Sequence, residues 1–128
     1  MNRPVHFEIQ ASDPEKLKKF YEMVFEWKIE KWGPVDYWLI GTGKEGEPGI
    51  NGAILPRNSA KPKDKDGVNA YVCTIDVANI DETMKKAEAG GARLALEKRP
   101  VMGIGWVAYY KDPDGNLFGM MQNDPNAK

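Results

Sequence analysis

Near the start of the chain apolar and polar side chains alternate, with Val5, Phe7 and Ile9 separated by His6, Glu8 and Gln10. A period of two predicts a half-buried strand with one apolar and one polar face. The pattern then changes. Asp13 followed by Pro14 predicts an N-cap with proline in the first helical turn. Leu17, Phe20, Tyr21 and Val24 recur at the spacing of an amphipathic helix, whose apolar stripe is expected to cover Val5, Phe7 and Ile9. Trp27 to Trp32 and Tyr37 to Thr42 read as strands joined by a turn at Gly33-Pro34-Val35-Asp36, and Gly49 to Leu55 reads as a fourth strand.

Pro56 to Gly67 mixes Pro, Asn and Ser with alternating Lys and Asp, has nothing to bury, and reads as a connector. After it the plan repeats. Ala70 to Val77 is expected to be a strand and Ile80 to Ala89 a helix capped by Asn79, with Gly90-Gly91 as a left-handed stop. Arg93 to Lys98, Gly105 to Lys111 and Leu117 to Gln122 complete three more strands. Asp112-Pro113-Asp114-Gly115 supplies the turn before the last one.

The two halves match residue by residue. His6-Phe7-Glu8-Ile9-Gln10 leads into Asp13 as Val72-Cys73-Thr74-Ile75-Asp76 leads into Asn79, a shift of 66 residues (72 − 6). Gly52-Ala53-Ile54 aligns with Gly119-Met120-Met121 at a shift of 67 (119 − 52), which implies one small insertion. A repeat of this kind fixes architecture before any motif does. It predicts an α+β fold of two βαβββ modules forming a curved mixed sheet around a shared cup, with the helices on the outer face. Module one runs to about residue 56, the connector over 56–67, module two over 68–123 and a tail over 124–128, all within a single domain. Because residues two apart share a side of a strand, His6, Glu8 and Gln10 are expected to face the cup with Val72, Thr74 and Asp76. Tyr71, Cys73 and Ile75 are expected to face their helix.

Composition narrows the function classes. Eighteen basic and nineteen acidic side chains in 128 residues give a formal charge of −1. That leaves no electrostatic footprint for a phosphate backbone or anionic lipid, so neither nucleic acid nor membrane is expected as a partner. No apolar segment has the length of a membrane span or a signal sequence, and the single Cys73 forms no internal disulfide. A soluble cytoplasmic protein is expected, with Cys73 as an ordinary buried thiol.

Phe20-Tyr21 in the first helix, Gly90-Gly91-Ala92 after the second, and Asp112-Pro113-Asp114-Gly115-Asn116-Leu117-Phe118 before the last strand stand in an ordered set. With the doubled βαβββ plan they resemble the vicinal oxygen chelate superfamily of glyoxalases, bleomycin-resistance proteins and extradiol dioxygenases, over nearly the whole chain. Metal-dependent members of that family place histidine or a carboxylate on the first and fourth strands of each module. Carried over by position, those places hold His6, Gly52, Val72 and Gly119. Glycine and valine offer no lone pair, and one imidazole does not hold a transition ion that wants three or four ligands. The resemblance therefore implies a member with a degenerate metal site, no metal and no cofactor.

Candidate binding residues follow from facing and shape. His6, Glu8, Gln10, Val72, Thr74 and Asp76 come from the cup-facing positions, and Gly52, Ile54, Gly119 and Met121 from the fourth strands, where glycine leaves room. Trp38 and Trp106, on broadly matching third strands, either flank the cup as aromatic walls or pack under a helix or at a subunit interface. Cys73 and His6 fall on opposite faces, which argues against a Cys-His dyad. Gly41-Thr42-Gly43-Lys44-Glu45-Gly46 matches a dinucleotide fingerprint only in letters, because a strand and not a helix follows it.

The leading expectation is a homodimeric protein binding a small organic ligand that is cationic or aromatic, since Glu8 and Asp76 repel anions from a partly dry site. An enzyme similar to glyoxalase, with a rebuilt or metal-free site using His6 and Glu8, is the alternative. A pure interaction module that buries Trp27 and Trp32 against a partner chain is a third.

Overall fold

A computed structural model describes residues 2–128. Ten elements follow one another: β1 His6–Ala11, α1 Pro14–Phe25, β2 Lys28–Lys31, β3 Trp38–Gly41, β4 Asn51–Pro56, β5 Thr74–Asp76, α2 Ile80–Ala89, β6 Arg93–Val101, β7 Gly105–Lys111 and β8 Leu117–Asn123. They fall into two compact units, Met1–Lys61 and Pro62–Lys128. Each is a four-stranded mixed sheet with one helix, ordered β1-β4-β3-β2 in the first and β5-β8-β7-β6 in the second. The doubled βαβββ plan and the α+β class are thus as the sequence implies.

Local chemistry sets the helices. The Asp13 side chain accepts from the Lys16 N–H, Pro14 opens α1, and Leu17, Phe20, Tyr21 and Val24 are its buried residues. In α2 the Asn79 side chain accepts from the Glu82 N–H. The glycine pair after α2 divides its work, since Gly90 keeps a right-handed φ of −81° and Gly91 alone takes the left-handed turn at +99°. Before β8, the Asp112 carboxylate accepts from the backbone N–H groups of Asp114 and Asn116 and from the Asn116 side chain. Those three bonds account for an aspartate that is only 1% exposed.

In the first unit the apolar face of the sheet meets α1. Ile29, Trp38, Ile40 and Ile54 are buried there, and the Trp38 indole N–H donates to Glu15 of α1 at 2.9 Å. Tyr21 stacks on Trp27 with ring centres 5.0 Å apart. In the second unit Tyr110 is buried and its hydroxyl donates to Glu88 of α2 at 2.9 Å, while the Gln122 side chain accepts from the Ile80 N–H. Burial first, and then Glu88, push the Tyr110 phenol well above its usual range.

Three expectations about the strands fail. Val5 lies outside β1 and is 78% exposed, so α1 covers Phe7 and Ile9 without it. The strand expected over Ala70 to Val77 forms only at Thr74–Asp76, which leaves Tyr71 fully exposed and Cys73 exposed instead of buried under α2. The carbonyl of Cys73 still accepts from the Gly119 N–H at 2.9 Å, so pairing with β8 fades there without a complete ladder. Third, the assumed insertion between the two copies is not present between their paired strands. Glu8 pairs with Ala53 and Thr74 with Gly119, so both strands of the pair repeat at 66 residues (74 − 8 and 119 − 53). The true counterpart of Gly119 is Ala53.

Candidate functional site

That single step of register decides which side chains share a face, because a slip of one residue moves every side chain of a strand to the other side. In the first sheet Glu8, Ala53, Leu39 and Glu30 form one row across the four strands, and His6, Asn51, Gly41 and Lys28 sit on the same face. This face points away from α1 and stays open, with His6, Glu8, Glu30 and Leu39 exposed. The row Phe7, Gly52, Ile40, Ile29 points the other way, into the core with Ile54 and Trp38.

Tyr37, just before β3, organises the open face. Its hydroxyl donates to Glu8 Oε2 at 2.6 Å and lies 2.8 Å from His6 Nε2. The phenol and imidazole rings are nearly parallel, at 11° and 6.3 Å between centres. Since β4 separates β3 from β1, the Tyr37 ring must cross β4, where Ala53, the open-face partner of Glu8, is small and fully buried. The turn that launches the ring is local: Trp32 N–H donates to the Tyr37 carbonyl, Val35 N–H to the Trp32 carbonyl, and Tyr37 N–H to the Val35 carbonyl. The hydrogen bond to Glu8, more than burial or the carboxylate's charge, pushes the Tyr37 phenol up to about 12. It is therefore a neutral donor throughout the physiological range.

Trp32, 61% exposed, meets Tyr37 edge-on with ring centres 6.4 Å apart. Beside it lies an open depression of about 400 Å³ lined by Lys28, Glu30, Lys31, Trp32, Leu39 and Gly41. Apart from Lys31, these residues follow the alternation of the open face. An aromatic edge, an apolar floor at Leu39, a carboxylate and an imidazole thus stand on one accessible surface.

The sequence-derived candidates divide accordingly. His6, Glu8 and Gln10 occupy the open face of the first sheet as expected. Trp38, Gly52 and Ile54 do not: Trp38 packs under α1, Ile54 is fully buried beside it, and the space at Gly52 is already taken. A Cβ at Gly52 would stand 2.4 Å from the Phe7 carbonyl oxygen and 2.7 Å from two Phe7 ring carbons. The glycine accommodates a neighbouring strand, not a ligand.

In the second sheet Thr74, Asp76, Gly119 and Met121 share the face away from α2 with Tyr109. There too the glycine leaves little room, since a Cβ at Gly119 would come within 2.9 Å of the Tyr109 ring and 3.1 Å of Thr74 Oγ1. Val72 precedes β5 and takes no register position. Trp106 pairs with Gln122, whose side chain caps α2, so the indole lies on the helix side. Lys98 sits 4.8 Å over the Trp106 ring, and the Trp106 indole N–H donates to Asp124, whose carboxyl is held below its ordinary range by the Asn126 backbone and this indole. The two tryptophans are not counterparts, because Trp38 faces Ile54 whereas Ala108 faces the equivalent Met120. The sequence pattern does not single out Tyr37, because its role depends on reaching across β4; its one signal there is a polar-tipped aromatic two residues before Leu39.

Among the described residues, no three His, Cys, Asp or Glu side chains group closely enough to hold a metal ion. The Nε2 of His6 is engaged by the phenol, and Glu8 is tied to the same oxygen. These donors do not fit the metal centre of the family's metal-dependent members. Among the described residues no helix is long and apolar enough to cross a membrane.

Paired βαβββ units with an open sheet face define the class, and the sequence agrees. Residues 3–120 match the Glyoxalase/Bleomycin resistance protein/Dioxygenase superfamily, and the chain belongs to that family. No curated protein matches the sequence. Among solved structures, the chain is similar to a glyoxalase/bleomycin resistance protein/dioxygenase family enzyme from Burkholderia phytofirmans PsJN. The TM-score is 0.73 at 18% identity, covering 93% of this chain and 97% of that one. It is also similar to the genomically encoded fosfomycin resistance protein FosX from Listeria monocytogenes, at TM-score 0.72 and 17% identity over 97% and 95% of the two chains. TioX from Micromonospora sp. ML1 gives TM-score 0.68 and 15% identity, over 96% of this chain and 100% of its own. Identities this low establish the fold alone.

Proposed function

We propose that the protein binds a small organic molecule, cationic or rich in hydrogen-bond donors, on the open face of the first sheet, without a metal ion. The observation that carries this reading is the Glu8 carboxylate. It is exposed and accepts from Tyr37 among the described residues, while a carboxylate has about four acceptor sites. Around it stand His6, the rings of Tyr37 and Trp32, whose faces attract a cation, and Leu39, which takes apolar bulk. An anionic ligand beside Tyr37 would meet the Glu8 carboxylate and be repelled there, although Lys28 stands with Glu30 at the far edge of the same face. The family's drug-resistance members make a binding role a natural one for this fold.

A second reading is supported by the contact between His6 and Tyr37. A hydrogen-bonded imidazole, phenol and carboxylate are the parts of an acid–base site, which suits an enzyme similar to glyoxalase working at a metal-free centre with His6 and Glu8.

Tryptophan fluorescence of the full chain separates binding from its absence. Tetraphenylphosphonium is expected to quench, and 2-naphthoate is not. Quenching is expected to fall in Trp32→Phe and in Glu8→Gln. Equal quenching by the two probes, or quenching unchanged in both variants, would refute the binding surface. Stoichiometric zinc, nickel, manganese or iron in protein purified without chelator, lost in His6→Gln, would overturn the metal-free reading.

A further inference from the structure

The connectivity around Tyr37 fixes a proton that is not itself seen. A phenol has one proton to give, and an ionised carboxylate can only accept, so the 2.6 Å contact assigns the Tyr37 proton to Glu8. The 2.8 Å contact between Tyr37 Oη and His6 Nε2 then needs its proton from the other side. His6 must donate through Nε2. In the neutral imidazole the lone pair is thereby left on Nδ1, on a residue that is exposed and whose Nδ1 meets no hydrogen-bond partner among the described residues.

From this geometry we propose that His6 is a general base acting through Nδ1, with Tyr37 and Glu8 as positioning residues that hold it in the Nε2–H tautomer. The inference rests on the open face of the first sheet being the ligand surface. The substrate class is a neutral or cationic, flat, aromatic or otherwise unsaturated carbon acid, one that can lie against Trp32 and Leu39 and does not bring a second anion beside Glu8.

The step balances with no redox partner. A substrate C–H bond breaks and its proton moves to Nδ1, while the electron pair stays on the substrate and either forms a π bond or expels a leaving group. The resulting imidazolium donates through Nε2 to Tyr37, which donates to Glu8, so the new positive charge faces a carboxylate through one phenol. Returning the Nδ1 proton to substrate or to water restores the resting state. The same engagement of Nε2 is what takes His6 out of service as a metal ligand through that nitrogen.

His6 is the only histidine, so a long-range ¹H–¹⁵N spectrum of labelled full-length protein shows one imidazole. The expected pattern is a protonated Nε2 and an unprotonated Nδ1 in the neutral form, replaced in Tyr37→Phe by the averaged pattern of exchanging tautomers. An averaged or Nδ1–H pattern in the unmodified protein would overturn the assignment. The catalytic half is read with 5-nitrobenzisoxazole, whose C3–H is removed by a base while the N–O bond breaks to release a coloured phenolate. Turnover is expected to fall by roughly 100-fold in His6→Gln. An intermediate loss is expected in Tyr37→Phe, carried by kcat and not by KM. Equal rates in the unmodified protein and His6→Gln would refute the base while leaving the tetraphenylphosphonium result, and with it the binding surface, intact. Because both side chains lie at the surface and phenylalanine keeps the ring, circular dichroism is expected to show native folding in each variant.

Discussion

Replacing Gly52 by alanine tests the register on which the site rests. If Gly52 faced an open hollow, an added methyl would meet nothing and would stabilise the chain by about 0.4–1 kcal/mol through the unfolded state. The structure makes the opposite demand. The methyl would stand 2.4 Å from the Phe7 carbonyl oxygen and 2.7 Å from Phe7 Cδ2 and Cε2, all well inside contact distance. The ring can swing only so far, since its centre lies 5.9 Å from that of Trp27, which is itself stacked on Tyr21. The carbonyl belongs to the backbone of β1, which is paired to β4 along six residues. Overpacking of this kind costs about 1–3 kcal/mol. Because the clash includes fixed backbone the cost falls in the upper part of that range, and set against the entropic gain a net loss of about 1–2 kcal/mol remains, or roughly 3–10 °C in Tm for a chain of this length. Thermal unfolding followed by circular dichroism reads it. Adding Phe7→Leu is expected to recover the part owed to the ring and none of the part owed to the carbonyl, so the double-mutant cycle gives a partial coupling. A Tm for Gly52→Ala equal to or above that of the unmodified protein would refute the register and put the open face on the wrong side.

Three further outcomes follow from particular contacts. Ala53 pairs with Glu8 on the face that the Tyr37 ring crosses, so in Ala53→Leu the larger side chain is expected to crowd the phenol away from Glu8, and Tyr37 to titrate near the ordinary 10 instead of about 12, read by ultraviolet absorbance against a Tyr37→Phe blank. For the unmodified protein, a folded-state value raised above the unfolded one means that the Tyr37 contribution to stability is complete below pH 10 and is lost as pH rises through about 12. Chemical denaturation at pH 9 and pH 12 is expected to show Tyr37→Phe less stable than the unmodified protein at the lower pH and the gap closing at the higher. Asp112→Ala strands the backbone N–H groups of Asp114 and Asn116 in a buried turn, with an expected cost of about 1–3 kcal/mol in urea unfolding. An unchanged urea midpoint would show that the turn is held by other bonds.

Pattern and structure part most clearly at β4 and β8. Both strands are legible in the sequence to within two residues, and yet in β4 the pattern points to the wrong open-face residue. Residue type matches Gly52 to Gly119, whereas the hydrogen-bonded ladders match Ala53 to Gly119. Identity of residue type is a chemical likeness, and facing is a matter of parity along a strand whose partner lies some 45 residues away. Trp38 illustrates the same point. Its neighbours in sequence left both faces open, and the hydrogen bond to Glu15 of α1 places it inside.

What the sequence determined by itself was whatever depends on neighbours within a few residues. Asp13-Pro14 and Asn79 mark where helices begin, Gly91 where one ends, Asp112 to Gly115 how the chain turns, and the repeat how many times the plan is executed. The alternation in β1 put His6 and Glu8 on one face because a strand has a period of two wherever it lies. Only the tertiary structure decided what that face contains. Tyr37 reaches His6 and Glu8 from two strands away, across β4, and hydrogen-bond partners separated by 29 and 31 positions leave no periodic trace in the chain. Short-range torsional preference is written locally, whereas pairing register is settled by the packing of whole sheets and can be read only once they are assembled.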